Sequence, residues 1–242
     1  MSDITVKNII KTYKDGTKAL DDVSLSIEKG DFYGLIGVNG AGKTTLINSL
    51  TGQINPDSGE ITVLGHDAIK DGQKVRADVG ILPEKESPLS FMTPREYFNF
   101  VGDVRGIEKN KLNDKIDYWA ELLEIEGQLD SMNRNLSRGQ QQKVLFAGTF
   151  LHEPDIVFID EPLANLDPLI QEKLKDYLKE YNKKDNKTIV LSTHYLEVAK
   201  ELCNTLGVMN NGELIGEYTV EDLDTNDDIR ELLKSKGDNY EQ

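Results

Sequence analysis

The chain is poor in cysteine, histidine and tryptophan, with one Cys, three His and one Trp in 242 residues. A lone Cys203 cannot close an intramolecular disulfide, and no cysteine or histidine recurs at the spacing of a metal site, so a reducing cytosolic setting is the simplest reading. There is no apolar run of about 18 residues, the length a spanning helix needs. Asp3 stands where a secretory leader would begin its approach to an apolar core. The chain is therefore expected neither to span a membrane nor to be carried across one. Basic residues are also scarce: 28 Lys and Arg against 43 Asp and Glu give a formal charge of −15. That balance argues against binding to a nucleic-acid backbone, which draws most of its affinity from Lys and Arg. The acidic surface reads instead as a source of solubility, and the length exceeds that of an ordinary single core only slightly.

The most informative stretch is Gly37-Val38-Asn39-Gly40-Ala41-Gly42-Lys43-Thr44, which spells G-x-x-x-x-G-K-T after an apolar run. At average composition such a match arises by chance in roughly one chain in a hundred of this length. The context strengthens it: Asp31 to Ile36 reads as a buried strand and Thr45 to Leu50 as the start of a helix. The glycines allow backbone N–H groups to fold around a phosphate chain, Lys43 reaches its outer phosphates, and the Thr44 hydroxyl holds a magnesium ion. The expected ligand is a nucleoside triphosphate.

Elsewhere the patterning alternates between strand and helix. Residues 4–10 and 23–27 alternate apolar and polar around a Lys14-Asp15-Gly16 turn, predicting an N-terminal antiparallel flap over about 1–33. Ile61 to Leu64 and Val79 to Leu82 read as further strands. From Thr93 to about Leu129 the pattern is helical, opening on Thr93-Pro94-Arg95-Glu96, with an N-cap, a proline at the first helical position and a capping-box glutamate. This helical subdomain is expected over about 86–150. The strand Ile156 to Asp160, a helix from Pro168 to about Tyr181, the strand Thr188 to Ser192, a following helix and an Asn210-Asn211-Gly212 hairpin complete an α/β fold with a mostly parallel core sheet. An acidic tail follows over about 221–242.

Three chemically loaded segments fall just past the carboxyl ends of these strands, the edge where parallel α/β sheets bind ligands: the phosphate loop, Asp160-Glu161 and Thr193-His194. If the strand continues through residue 161, the two carboxylates point opposite ways. Asp160 is then assigned to the metal and Glu161 to a general base or the orientation of water. Ser137-x-x-Gln140 is a capping box that opens an apolar-striped helix, and a helix N-terminus attracts anions. Alone, that box is compatible with a plain cap, and His194 with an ordinary loop histidine.

Taken together, these motifs resemble the nucleotide-binding subunit of an ATP-binding cassette (ABC) transporter over nearly the whole chain. Residues 37–44 are similar to the family's Walker A and LSRGQ at 136–140 to its signature. IVFIDE at 156–161 is similar to Walker B with its catalytic glutamate, Asn165-Leu166-Asp167-Pro168 to the D-loop, and His194 to the switch histidine. The resemblance implies the P-loop NTPase fold and ATP with Mg2+ as ligands. The nucleotide would be bound by Asn39, Gly40, Ala41, Gly42, Lys43, Thr44 and Thr45, with Tyr13 stacking on adenine. It further implies a second cassette subunit, identical or different, closing head to tail, so that Ser137, Gly139, Gln140 and Asp167 of one subunit face the nucleotide of the other. Glu161, His194 and Lys43 would then serve hydrolysis, while Thr44, Asp160 and Glu84 would hold magnesium.

Two departures stand out: Arg138 replaces the first glycine of the usual LSGGQ, and Glu84 stands where the family usually has glutamine. The second resembles the subfamily that powers ABC-2 type exporters. The leading expectation is an ATPase subunit, peripheral on the cytoplasmic face, that drives a separate membrane permease. The second is a soluble cassette ATPase working as an assembly factor, as in iron–sulfur cluster assembly. Trp119, Tyr97, Phe98 and Phe100 are read as packing or as a groove for a partner's helix, Cys203 as helix packing, and His66 and His152 as surface residues.

Overall fold

The computed structural model describes residues 2–84, 89–161, 163 and 166–222. These fall into two compact units, one built from the chain up to Asp78 and from Tyr181 onward, the other from Val79–Glu180. In chain order the first unit begins with β1 (Ser2–Thr12), β2 (Lys18–Glu28), β3 (Phe32–Ile36), α1 (Lys43–Leu50), β4 (Ser58–Val63), β5 (His66–Asp67) and α2 (Gly72–Asp78). The second unit carries β6 (Val79–Leu82), α3 (Pro94–Val104), α4 (Lys109–Leu123), α5 (Arg138–Phe150), β7 (Ile156–Asp160) and most of α6 (Pro168–Lys183). The chain then returns to the first unit with β8 (Thr188–Thr193), α7 (Leu196–Leu202), β9 (Thr205–Asn210) and β10 (Glu213–Thr219).

The antiparallel flap forms as the alternation predicts. β1 pairs with β2 on one side and β4 on the other, both antiparallel, and β5 completes the order β2-β1-β4-β5. Along β2 buried and exposed positions alternate, with Val23, Leu25 and Ile27 inward, the pattern of a strand with one face on a core. The core strands differ: every residue of β3 and of β8 is buried. Strands buried throughout need cover on both faces, which a parallel sheet receives from its crossover helices. Accordingly β3 runs parallel to both β8 and β9, and only β10 returns antiparallel against β9. The turn between β9 and β10 holds Asn211 at φ 49° and Gly212 at φ 84°. A tight hairpin needs both central residues left-handed, and Asn-Gly supplies this at low cost.

In the second unit β6 and β7 are parallel, and all five residues of β7 are buried. Around the sole tryptophan lies an aromatic cluster, with the Trp119 ring 4.7 Å from Tyr177 and 5.8 Å from Phe146, and Phe146 stacked 4.8 Å from Phe150. Trp119 and Phe98 are therefore packing, whereas Phe100, like Phe91 and Val104, is largely exposed. At the start of α3, Thr93 Oγ1 accepts from the Glu96 amide at 3.1 Å and Glu96 Oε2 accepts from the Thr93 amide at 2.8 Å, so the expected capping box is present with Pro94 behind it. Cys203 is buried at the end of α7, and a Cβ built on Gly34 of β3 would lie 2.8 Å from its sulfur. The thiol packs a helix end onto the central strand, and burial raises its pKa.

One surface expectation is corrected. His66 is half-exposed and faces Asp78 at 3.6 Å, but His152 lies largely buried after α5. Its Nε2 is 3.3 Å from the Val79 carbonyl and its Nδ1 is among the buried atoms without a partner. Burial, reinforced by nearby Arg105 and Lys115, pulls its pKa down to about 4. Sequence neighbours alone could not show this, because the carbonyl and the cations arrive from other elements. Of the predicted acidic tail, residues 223–242 lie outside the described residues, as does Asn165.

Candidate functional site

β3 ends at Ile36 and α1 starts at Lys43, so residues 37–42 form the loop between a buried parallel strand and a helix N-terminus. Gly42, the N-cap of α1, has φ 105°, and a Cβ there would sit 2.4 Å from the Ala19 carbonyl oxygen. Only glycine meets both demands. Gly40 also has positive φ, but a Cβ there would meet nothing within 4 Å, so the space over the exposed Asn39-Gly40 stretch is open. Ala41 anchors the loop: it is 1% exposed, its amide donates to the Val38 carbonyl at 3.1 Å, and its carbonyl accepts from the Gly212 amide at 3.0 Å.

Lys43 is buried, with its ammonium donating to the carbonyls of Gly37 at 2.8 Å and Val38 at 3.1 Å. A buried cation must be paired or hydrogen-bonded, and here the loop's own carbonyls hold it. The N-terminus of α1 has no side-chain cap and no acidic residue in its first turn. Helix N-termini carry unsatisfied N–H donors and a partial positive charge. This donor set fits an anion such as a phosphate. Thr44 is exposed at this end of the helix. Thr45 is buried, and its Oγ1 lies 3.1 Å from the hydroxyl of Tyr13, a residue that remains 38% exposed.

The strand ends where the apolar run predicts and does not continue into Glu161, so the alternation of the two carboxylates that a continuing strand would give is not realised. β7 stops at Asp160, which is 3% exposed, and Glu161 turns into the left-handed region at φ 51°. For a non-glycine residue that conformation costs on the order of 1 kcal/mol and persists only where the surroundings impose it. The two carboxylates are thus separated by a backbone turn rather than by pleat alternation. Among the described residues no group of three or more His, Cys, Asp or Glu could hold a metal. Magnesium fits such a chain, because it takes one or two carboxylates and fills its shell with phosphate oxygens and water. The exposed Thr44 hydroxyl and the Asp160 carboxylate are donors of the required kind. Glu84 is exposed just past β6.

α5 begins with the capping box read from sequence: Ser137 Oγ accepts from the Gln140 amide at 3.2 Å and Gln140 Oε1 accepts from the Ser137 amide at 2.9 Å. Arg138 is exposed in the first turn, and Gly139 follows it half-exposed. Asp167 caps α6 in turn, with Oδ1 accepting from the Ile170 amide at 3.0 Å while Oδ2 lies 3.8 Å from the Lys143 ammonium. Sequence reasoning passed over Gln141 and Gln171, which stand four residues after these two caps. The Gln141 side chain donates to the carbonyls of Asn133 and Leu136, and that of Gln171 to the carbonyls of Leu163 and Leu166. In the first unit His194 follows β8, half-buried, with its ring 3.9 Å from that of Tyr195.

Comparison with known proteins bears on this arrangement. Residues 20–164 match the family described as ABC transporter. The chain is 32% identical to the ABC transporter ATP-binding protein NatA of Bacillus subtilis, over 96% of this chain and 97% of that protein. It is 34% identical to the methionine import ATP-binding protein MetN of Helicobacter pylori, over 99% of this chain and 75% of that one. A dimeric post-hydrolysis structure of the ATP-binding cassette MJ0796 bound to ADP and Pi superimposes with a TM-score of 0.81 at 27% identity, covering 91% of this chain and 100% of that one. On the family match and on relatives above 30% identity along nearly its whole length, the chain belongs to the ABC transporter family, as one of its ATP-binding subunits.

Proposed function

We propose that this chain binds MgATP in the loop Gly37–Thr44, closes around it with a second cassette subunit, and hydrolyses it to drive a separate membrane permease. The observation that carries this reading is the N-terminus of α1, left without a side-chain cap beside the buried Lys43 ammonium. In this reading Asn39, Gly40, Ala41 and Gly42 offer backbone to the phosphates, Thr45 supports Tyr13, and the exposed Tyr13 ring stacks on adenine. Entry of a phosphate would let Lys43 exchange its bonds to Gly37 and Val38 for charge-assisted ones to phosphate oxygens. Glu161 takes a proton from the attacking water and His194 contacts the outermost phosphate. Magnesium, held by Thr44 and Asp160 with Glu84 as a third candidate, would neutralise charge on the phosphates.

The partner subunit presents Ser137, Gly139 and Gln140 at the start of α5, and Asp167 at the start of α6. A capped helix start is suited to meet a phosphate through its dipole and backbone donors. We take residues 1–242 as a single ABC ATPase domain, with the flap over about 1–33, the helical subdomain over about 86–150 and the tail over about 221–242.

Among the described residues no helix is long and apolar enough to cross a membrane. The transport path is therefore assigned to a separate polytopic partner, and this chain to the inner face of the membrane. The exposed Phe91, Phe100 and Val104 suit contact with an apolar partner surface. Glu84 favours a partner of the ABC-2 exporter type, while the import function in MetN's name belongs to that protein. The assembly-factor reading has no comparable support among the relatives named above. A decisive experiment is affinity purification of the tagged Glu161→Gln chain from gently solubilised native membranes with ATP and magnesium. A stoichiometric polytopic partner is expected; recovery of soluble partners alone would overturn the transport reading.

A further inference from the structure

Two helix starts in the second unit are built on one plan. Ser137 caps α5 and Asp167 caps α6, and the residue four positions after each cap is a glutamine. Gln141 Nε2 donates to the carbonyls of Leu136 at 3.1 Å and Asn133 at 2.9 Å. Gln171 Nε2 donates to the carbonyls of Leu166 at 3.0 Å and Leu163 at 3.1 Å. The acceptors lie five and eight residues back in both cases, so each amide uses its two donors to tie off the loop that leads into its own helix.

These bonds serve the loop rather than the helix. A helix N-terminus lacks acceptors for its N–H groups, and at α6 the Asp167 carboxylate already supplies one. Gln171 instead donates to carbonyls. Leu163 and Leu166 are 8% and 7% exposed, where a carbonyl left without a donor is costly. Leu163 is two residues from Glu161, whose left-handed backbone must be held by what surrounds it. Lys143, itself buried on α5, faces the free oxygen of the Asp167 carboxylate at 3.8 Å and ties the same loop to the α5 helix.

We propose that Gln171 is a positioning residue for ATP hydrolysis. By holding the carbonyls of Leu163 and Leu166 it positions Glu161 and Asp167 on either side of them, and so sets both the base of its own site and the carboxylate this subunit presents to its partner. The role assigned to those two residues rests on the ATPase reading above. Gln171 itself touches neither nucleotide nor water in this account.

The test compares the full-length parent with Gln171→Leu, which keeps bulk but removes both donors, and Gln171→Arg, which restores N–H donors on a long side chain. Two quantities are read: steady-state kcat and KM for ATP, and amide hydrogen exchange of the peptide covering residues 161–170. Gln171→Leu is expected to lower kcat by about tenfold with KM within about twofold, since small misplacements of reacting groups cost rate rather than binding. Its exchange should be faster, and Gln171→Arg should recover both. Parent-like kcat and exchange in Gln171→Leu would overturn the proposal, as would a joint loss of kcat, ATP affinity and melting temperature that Gln171→Arg does not repair. Should the parent itself fail to hydrolyse ATP, the ATPase reading falls separately. Exchange then decides: faster exchange in Gln171→Leu supports the clip, and unchanged exchange removes it.

Discussion

The hydroxyl of Tyr13 lies 3.1 Å from Thr45 Oγ1, joining the turn after β1 to the helix that follows the phosphate loop. The hydroxyl end of the tyrosine is thereby held while the residue stays 38% exposed, and in the proposed function its ring stacks on adenine. Tyr13→Ala is expected to weaken ATP binding by roughly tenfold, the lower part of the range for stacking of a base on an aromatic ring. Tyr13→Phe, which keeps the ring, should lose no more than about threefold, a fraction of a single neutral hydrogen bond. Titration with a fluorescent ATP analogue separates the two. Equal losses would make the hydroxyl, and not stacking, the source of affinity.

Lys43 and Glu161 should fail differently. Lys43→Ala removes the buried ammonium and is expected to weaken nucleotide binding. Glu161→Gln should bind ATP like the parent and lose at least about a hundredfold in kcat, as expected of a general base. Normal affinity in the lysine variant would contradict the phosphate-loop assignment, and parent-like turnover in the glutamine variant would remove Glu161 as the base.

The exposed Glu84 carboxylate tests the exporter-type departure. Glu84→Gln is expected to leave magnesium-dependent ATP turnover within about threefold of the parent, because at the proposed position glutamine would still offer one oxygen to the metal while removing a negative charge. Complete loss of activity would show that the carboxylate itself is required.

His152 makes stability depend on pH in a defined window. Its pKa in the folded chain is about 4, below the ordinary value of 6.5, chiefly because burial penalises the imidazolium. The unfolded chain thus binds a proton more readily, and folding stability falls as pH drops from about 6.5 towards 4. The full effect is at most about 3.5 kcal/mol, at about 1.4 kcal/mol per pKa unit. Melting temperatures of the parent and His152→Asn between pH 4 and 7 isolate this term, since carboxylates titrate in both. The parent should lose more stability than the variant as pH falls; parallel curves would contradict the burial of a neutral ring.

Sequence legibility followed the range of the interaction. Both capping boxes could be read in advance, since Thr93 with Glu96 and Ser137 with Gln140 meet within one helical turn. The same holds for the Asn211-Gly212 turn, whose left-handed geometry depends on those two residues alone. The phosphate loop was legible because phosphate binding demands particular residue types at fixed spacing. The end of β7 at Asp160 was legible as the end of an apolar run, but the left-handed turn at Glu161 was not, because nothing in its neighbours encodes it; tertiary surroundings impose it. His152 was misplaced for the same reason, its neighbours Val79 and Arg105 being distant in sequence. Gln171 went unnoticed although its signal was present, as a glutamine four residues past a capping residue, with a twin at Gln141.

The central claim is that ATP holds two copies of this cassette, or this cassette and a homologue, together until Glu161 allows hydrolysis. Sedimentation velocity of the Glu161→Gln chain tests it most directly, in ATP and magnesium against ADP and magnesium. With ATP the account predicts a species of twice the 27.2 kDa chain mass, and with ADP a monomer. A monomer in both nucleotides, with bound ATP detected in the monomer peak, would contradict closure of two copies around ATP.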